Sequence, residues 1–384
     1  MIGIGELNTR ISKILPEIVE FRHTLHQIPE IAGKEWKTSA EIRKRLAPLN
    51  LDLAEPFLDT DVIALLNGEK KHNLTFRADM DALPLEELTP ECPYRSRHPG
   101  MMHACGHDGH VAMLYGAAKI LSDLREEVPC SIRFLFQPGE EMACMAKSLL
   151  EAGALNHPEP DFITGLHIWP EEPYGKICTK PGVLMAAAGF FRIVLHGKGG
   201  HGSLPGMARN PIGCAAELIT ASREIVPSDC ILTFCACNAG HNNIVIPEMM
   251  ELKGTIRFTD PPQGEQLKAD FEKIIHDITS RWKINYEWEC HLSYMPVVNR
   301  KEAFEKVRKL FTEACGEDSF HTLDRHTMSS EDFSWYLQKY PGLFCHLGAG
   351  SSRGLHSPQF DFDDRLLSVG IRYFCLLALR LFRP

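Results

Sequence analysis

Nine residues limit what this chain can become more than any other stretch: Met102-His103-Ala104-Cys105-Gly106-His107-Asp108-Gly109-His110. They set one thiol, three imidazoles and one carboxylate beside two glycines that let the backbone fold tightly around whatever those groups hold. Val111 to Leu121 follows with apolar residues close to helical spacing, the pattern of a core helix. The cluster therefore belongs on a loop at a helix N-terminus, where the helix dipole favours a thiolate and prepares Cys105 for metal. A buried free cysteine beside hydrogen-bonded histidines would account for any one of these residues. It does not account for five such side chains at this density.

A length of 384 residues makes two domains the first expectation, and an apolar share of 44% is ordinary for a soluble chain with a substantial core. A net charge of -9 offers no basic stripe for nucleic acid, and no Lys/Arg-rich amphipathic helix points to a membrane surface. Thirteen cysteines, including Cys235-Ala236-Cys237 in an expected strand, have no framework spacing and suit a reducing compartment. With no basic and apolar leader and no run near ~18 apolar residues, the expectation is a cytoplasmic, soluble protein.

Along the chain, Glu6 to Gln27 and Thr38 to Leu46 read as helices, and Asp61 to Leu66 as a strand closing on Asn67-Gly68. Strands Asn73 to Ala78, Ser131 to Phe136 and Asp161 to His167 each finish at polar groups: Asp79 and Asp81, Glu140 and Glu141, and His167 itself. In open α/β sheets that edge is where active sites form. From Gly189 to about Tyr294 the order is strand, helix, strand, strand, helix, strand, a ferredoxin-like βαββαβ unit inserted between two α/β stretches. Helices near Phe304 to Ala314 and Glu331 to Gln338, the strand Leu343 to Leu347 and the helix Arg365 to Leu381 return to the first part.

Cys105 and His107 lie at i and i+2, which on a turn can aim both side chains at one point, unlike the Cys-x-x-Cys knuckles of structural zinc. Glu140 and Glu141 are adjacent and project differently, which suits one to binding metal and the other to accepting a proton. A solvated acidic pair is the plainer reading, but this one directly follows an apolar strand and a Pro-Gly turn. His356 lies in a glycine-rich loop without core periodicity and gains weight only from its company.

Five segments together carry a resemblance: Arg77 to Pro84, Met102 to His110, Gln137-Pro138-Gly139-Glu140-Glu141, Gly199-Gly200-His201-Gly202-Ser203 and Leu355-His356-Ser357-Pro358. They resemble the amidohydrolase branch of the M20 metallopeptidases, which includes hippurate hydrolases, indole-acetyl-amino-acid hydrolases and N-acyl-amino-acid deacetylases. The similarity runs in order from about residue 6 to the C-terminus. It implies an α/β protein: a zinc-exopeptidase-like, three-layer α/β/α catalytic domain over 1–184 and 298–384, and an inserted ferredoxin-like α+β lid and dimerisation domain over 185–297.

Carried over by position, the implied metal ligands are Cys105, His107, Glu141, His167 and His356, and the implied general base is Glu140. Cys105 would bridge two divalent ions, with His107 and His167 on one and Glu141 and His356 on the other. Manganese is the ion the branch suggests, and zinc, nickel and cobalt are alternatives that a mixed S/N/O donor set does not separate. Asp79 and Asp81 would orient ligand imidazoles from behind. Asp108 would do likewise or cap its helix. His201 is either the lid's oxyanion donor, with the partner subunit as one source, or a turn histidine. Asn243 and Arg257 resemble contacts to a substrate carboxylate, which a bidentate arginine suits, although an exposed strand arginine is the simpler alternative. Pro205-Gly206 and Asn210-Pro211 depart from the Pro-His and Asp-Pro common in the branch, which puts a lid contact and the substrate assignment in question.

The implied activity is hydrolysis of a small N-acyl amino acid to a carboxylate and a free amino acid. A di-metal dipeptidase or aminopeptidase is the alternative among enzymes, and a catalytically silent metal-dependent binding protein is the alternative outside them.

Overall fold

The computed structural model describes residues 2–141 and 143–383. The chain divides into two compact units, one formed by Met1–Leu184, Val298–Arg325 and Asp332–Pro384, the other by Met185–Val297 and His326–Glu331.

The first unit is built on a mixed eight-stranded sheet. Its order is Asp52–Leu53, Val62–Leu66, Ser131–Gln137, Asn73–Asp79, Phe162–Trp169, Gly342–Gly348, Ile177–Thr179, Phe320–Thr322. The four central strands are buried at every residue, as expected for parallel strands covered on both faces, and Asn73–Asp79 lies parallel to both of its neighbours. The sequence did not suggest the short strands Asp52–Leu53, Ile177–Thr179 and Phe320–Thr322; two or three residues carry no readable period. The helix expected from Glu331 begins only at Ser334, because Asp332 turns inward before it.

Helices Ile4–His26, His107–Asp123 and Leu367–Arg380 pack together over one core. Their approach at Gly370 is close: a Cβ there would lie 2.0 Å from the Met113 sulfur. Parallel pairing puts Asp79 level with Gln137, so the strand ends carrying Asp79, Gln137 and His167 reach the same side of the sheet. Among the described residues no helix is long and apolar enough to cross a membrane.

The second unit is a four-stranded antiparallel sheet in the order Cys230–Ala239, Met249–Phe258, Ala187–His196, Asn285–Tyr294. Helices Pro211–Ser222 and Pro261–Trp282 pack against it over a separate core. That arrangement is the ferredoxin-like order. Asn210, where the family resemblance led one to expect aspartate, caps the first of these helices: its Oδ1 accepts the Ile212 N–H at 3.0 Å, ahead of a proline at the first helical position.

One buried ion cluster ties the N-terminal helix to both the Cys/His block and the C-terminal segment. Arg22, 1% exposed, donates through Nε to Asp108 Oδ2 at 3.2 Å. Through Nη1 it reaches Asp364 Oδ1 at 2.6 Å and the Phe362 carbonyl at 3.0 Å, and through Nη2 it reaches Asp361. Asp108 also takes the His26 ring at 2.9 Å and makes no helix cap, since the cap position is Gly106 and no side chain bonds there. Burial alone would lower the His26 pKa, but Asp108 outweighs it and lifts the imidazole to about 9.

Removing one member of a buried pair leaves an uncompensated charge. We therefore expect Arg22→Met to cost about 3–5 kcal/mol of unfolding free energy in a urea titration. The His26 imidazole has a folded pKa of about 9 against an ordinary 6.5, so its contribution is complete below the lower value and lost as pH rises through the higher. Unfolding free energy should therefore fall from neutral pH to above pH 9, and His26→Gln should flatten that part of the profile.

Candidate metal centre

The geometry begins with backbone. Gly106 adopts a left-handed φ of +83° at the start of the helix His107–Asp123, which turns Cys105 inward just ahead of the first helical turn. The Cys105 sulfur lies 3.4 Å from His167 Nε2. His167 donates from Nδ1 to the Ile168 carbonyl at 2.7 Å, which leaves Nε2 as the lone-pair nitrogen facing the thiol. His107 is held the same way: Nδ1 donates to the Asp81 carbonyl at 2.9 Å, and the buried Nε2 has no hydrogen-bond partner among the described residues.

Glu141 Oε1 lies 3.9 Å from His107 Nε2 and 3.1 Å from His356 Nε2. His356 reaches it from the C-terminal loop with φ +61°, pinned by its own N–H to the Ala104 carbonyl at 2.8 Å. The donor atoms of Cys105, His107 and His167 all lie within 4.8 Å of one another, and so do those of Cys105, Glu141 and His356. Two triads thus share one sulfur. A third group of the same tightness joins His107 to Glu140 and Glu141.

The turn carrying the two glutamates is held from below. Asp81 takes the Glu140 N–H on Oδ1 and the Glu141 N–H on Oδ2, both at 3.1 Å. Glu140 Oε1 accepts the Asp332 N–H at 3.3 Å. Asp79 serves a different imidazole from His107. Its Oδ1 meets His110 Nδ1 at 2.6 Å, and His110 Nε2 accepts the Ile168 N–H at 2.9 Å. Both His110 nitrogens are therefore spent, so Asp79, His107 and His110 do not form a third ligand set despite their proximity.

Burial raises the Cys105 thiol well above its ordinary pKa, and the nearby Glu141 and Glu140 carboxylates push it further. This reverses the expectation of a dipole-stabilised thiolate: a desolvated sulfur facing two acids outweighs the half-charge of a helix end. Burial would lower His107, but Asp79, Asp81 and Glu141 overcome it and lift it to about 10. Burial holds His167 well below the usual imidazole range. Glu141 stays below the usual carboxylate range, since His356 and His107 outweigh its burial. These residues fit divalent cations: the unmet His107 nitrogen, a buried sulfur and acids in excess form a soft and hard donor set that lacks only positive charge.

Several supporting residues carried no clear signal in the sequence. Arg77 lies inside the strand Asn73–Asp79 and is buried along with every other residue of it. It bonds Asp79 through Nη1, Asp332 Oδ1 through Nη2 at 2.7 Å and Gln137 Oε1 through Nε at 2.9 Å. An arginine in a core strand was the available hint. Asp332 and Glu35 sit among ordinary surface-like acids and offered none. Glu35 is fully buried, and burial together with the nearby Asp81 raises its carboxyl to about 7.

His201, Asn243 and Arg257 belong to the second unit. His201 is exposed, and its Nδ1 accepts the Ser203 N–H at 3.1 Å; Asn243 is exposed on the neighbouring loop. Arg257 donates to Ser330 Oγ at 3.0 Å and stands 5.7 Å from the Phe190 ring centroid. It lines a cavity of about 490 Å³ with Phe190, Lys253 and His291.

Residues 75–380 match the sequence profile described as peptidase family M20/M25/M40. The N-acetylcysteine deacetylase of Bacillus subtilis (strain 168) is 33% identical over 94% of this chain and 96% of its own length. The IAA-amino acid hydrolase ILR1-like 2 of Arabidopsis thaliana is 32% identical over 94% of this chain and 84% of its own. The crystal structure of the Bacillus subtilis YXEP protein, described as a dinuclear metal-binding peptidase from the M20 family, superposes with a TM-score of 0.82. It shares 30% identity over 96% of this chain and 98% of that one. This chain belongs to peptidase family M20/M25/M40.

Proposed function

We propose that this chain is a metal-dependent amidohydrolase that cleaves the amide of small N-acyl amino acids, releasing a carboxylate and a free amino acid. The observation that carries the reading is the pair of donor triads sharing Cys105, with Glu140 beside them. His107 and His167 would complete one ion's ligands with Cys105, and Glu141 and His356 the other's. Two divalent ions bound there would supply a Lewis acid for the amide carbonyl and acidify a water. Glu140 would accept the proton of the attacking water and deliver it to the departing nitrogen. Asp81 fixes the His107 tautomer and the glutamate turn, and Asp79 acts through His110 on the backbone beside His167.

The second unit supplies binding groups in this reading. Arg257, buried enough to lower its pKa, suits the substrate carboxylate, with Asn243 as a further contact and His201 as the oxyanion donor. Leu204, Met207, Ile244 and Val245 expose apolar surface around His201, which supports a homodimer formed through this unit. Manganese is the proposed ion and the cytoplasm the proposed location. The deacetylase and the IAA-amino acid hydrolase are relatives named for N-acyl amino acid substrates, which favours this reading over a dipeptidase or aminopeptidase.

Glu140→Gln should keep its metal, measured by atomic absorption, while turnover falls by about 10²–10⁴-fold; unchanged turnover defeats the assignment of the base. Chelation should abolish hydrolysis across a panel of N-acyl amino acids, and refilling with single metals should restore it, manganese best. If free dipeptides are cleaved and no N-acyl amino acid is, with any metal, the peptidase reading replaces this one.

A further inference from the structure

We infer that Glu35 is a positioning residue for the turn Gly139-Glu140-Glu141, holding the Gly139 N–H so that the two glutamates keep fixed and different directions. The inference rests on the role proposed above for that turn. Glu35 directly precedes the helix Trp36–Leu46, and its side chain is fully buried. Its Oε1 accepts the Gly33 N–H at 2.9 Å and the Gly139 N–H at 3.0 Å, and its Oε2 accepts the Thr60 hydroxyl at 3.0 Å. Among the described residues no basic side chain pairs with it.

A local duty at the start of its helix explains the bond to Gly33 but not a reach across 104 residues to Gly139. Asp81 takes the next two N–H groups of the same turn. Three consecutive amides therefore end on two buried carboxylates, with none left to a helix or a sheet. The turn also needs glycine at its first position. Gly139 has φ +62°, a Cβ there would lie 2.4 Å from the Met145 sulfur, and its carbonyl accepts the Met145 N–H at 3.1 Å. A backbone bent this sharply has no regular hydrogen bonds to hold it, so the carboxylates below it set where Glu140 and Glu141 point.

The test compares Glu35→Ala, Glu35→Asp and Glu35→Gln. Glutamine keeps an oxygen for the two N–H groups and can donate to Thr60, whereas aspartate keeps the charge but withdraws the oxygens by one methylene. In metal-free protein, amide hydrogen exchange over residues 137–145 should be several-fold faster in the alanine and aspartate variants and close to wild type in glutamine. In the metal-loaded enzyme, kcat should fall about 10–100-fold in the first two with KM little changed, and glutamine should restore it.

The exchange measurement needs no substrate, so it decides the role of Glu35 even if no N-acyl amino acid is cleaved. If the alanine variant does not fold, the aspartate variant carries the test. Wild-type exchange at 137–145 in the alanine and aspartate variants, or a glutamine variant as impaired as alanine, overturns the inference. So does a defect confined to KM.

Discussion

Asp81 is the residue through which the parts of the candidate centre hold one another. Its carbonyl fixes the ring of His107, and its two carboxylate oxygens fix the consecutive amides of Glu140 and Glu141. One buried residue thus ties a strand end, the first residue of the following helix and a turn that is remote in sequence. Hydrogen bonds to a charged acceptor are worth about 1.5–3 kcal/mol, and an amide left unmet in such a place costs as much. The turn therefore has little freedom to wander, and directional control over two adjacent glutamates follows from backbone contacts more than from the glutamates' own side chains.

The electrostatics of the cavity explain which donors gather there. Position at a helix start favours an ionised Cys105, yet desolvation and the acids Glu141 and Glu140 dominate and push its pKa up. Against its burial, Asp79, Asp81 and Glu141 push the His107 pKa up as well. A reactive cysteine would need electropositive surroundings. Here the surroundings are acidic, which suits a sulfur that shares a cation and not one that attacks a substrate.

Much of this was legible before any coordinates. The long central strands and the antiparallel unit follow from apolar runs, period and turn residues, and the Cys105–His107 block declared itself by density. What escaped was of two kinds. Strands of two or three residues, such as Ile177–Thr179, exist because neighbours pair with them, which local pattern does not encode. Buried polar residues such as Arg77, Glu35 and Asp332 resemble surface residues in one dimension, and only the groups that hydrogen-bond them reveal their burial. Asp108 was read as an orienting or capping group, yet it serves as the anchor of Arg22.

That anchor bears on how the centre comes together. His356 is brought in by a loop whose continuation, Asp361 to Asp364, is clasped by Arg22 from the N-terminal helix. The same guanidinium holds Asp108, the neighbour of His107. The two ends of the chain thus meet beside the segment that carries the C-terminal histidine to Glu141. None of the five candidate ligands is positioned by its own element alone: His356 leans on the Ala104 carbonyl, His107 on Asp81, Glu141 on the same aspartate, and Cys105 and His167 on each other. A site drawn from such separated segments is a property of the completed fold. Metal affinity and folding stability should accordingly be coupled through the first unit, because a change at Asp81 loosens two ligands at once and a change at Arg22 loosens a ligand it never touches.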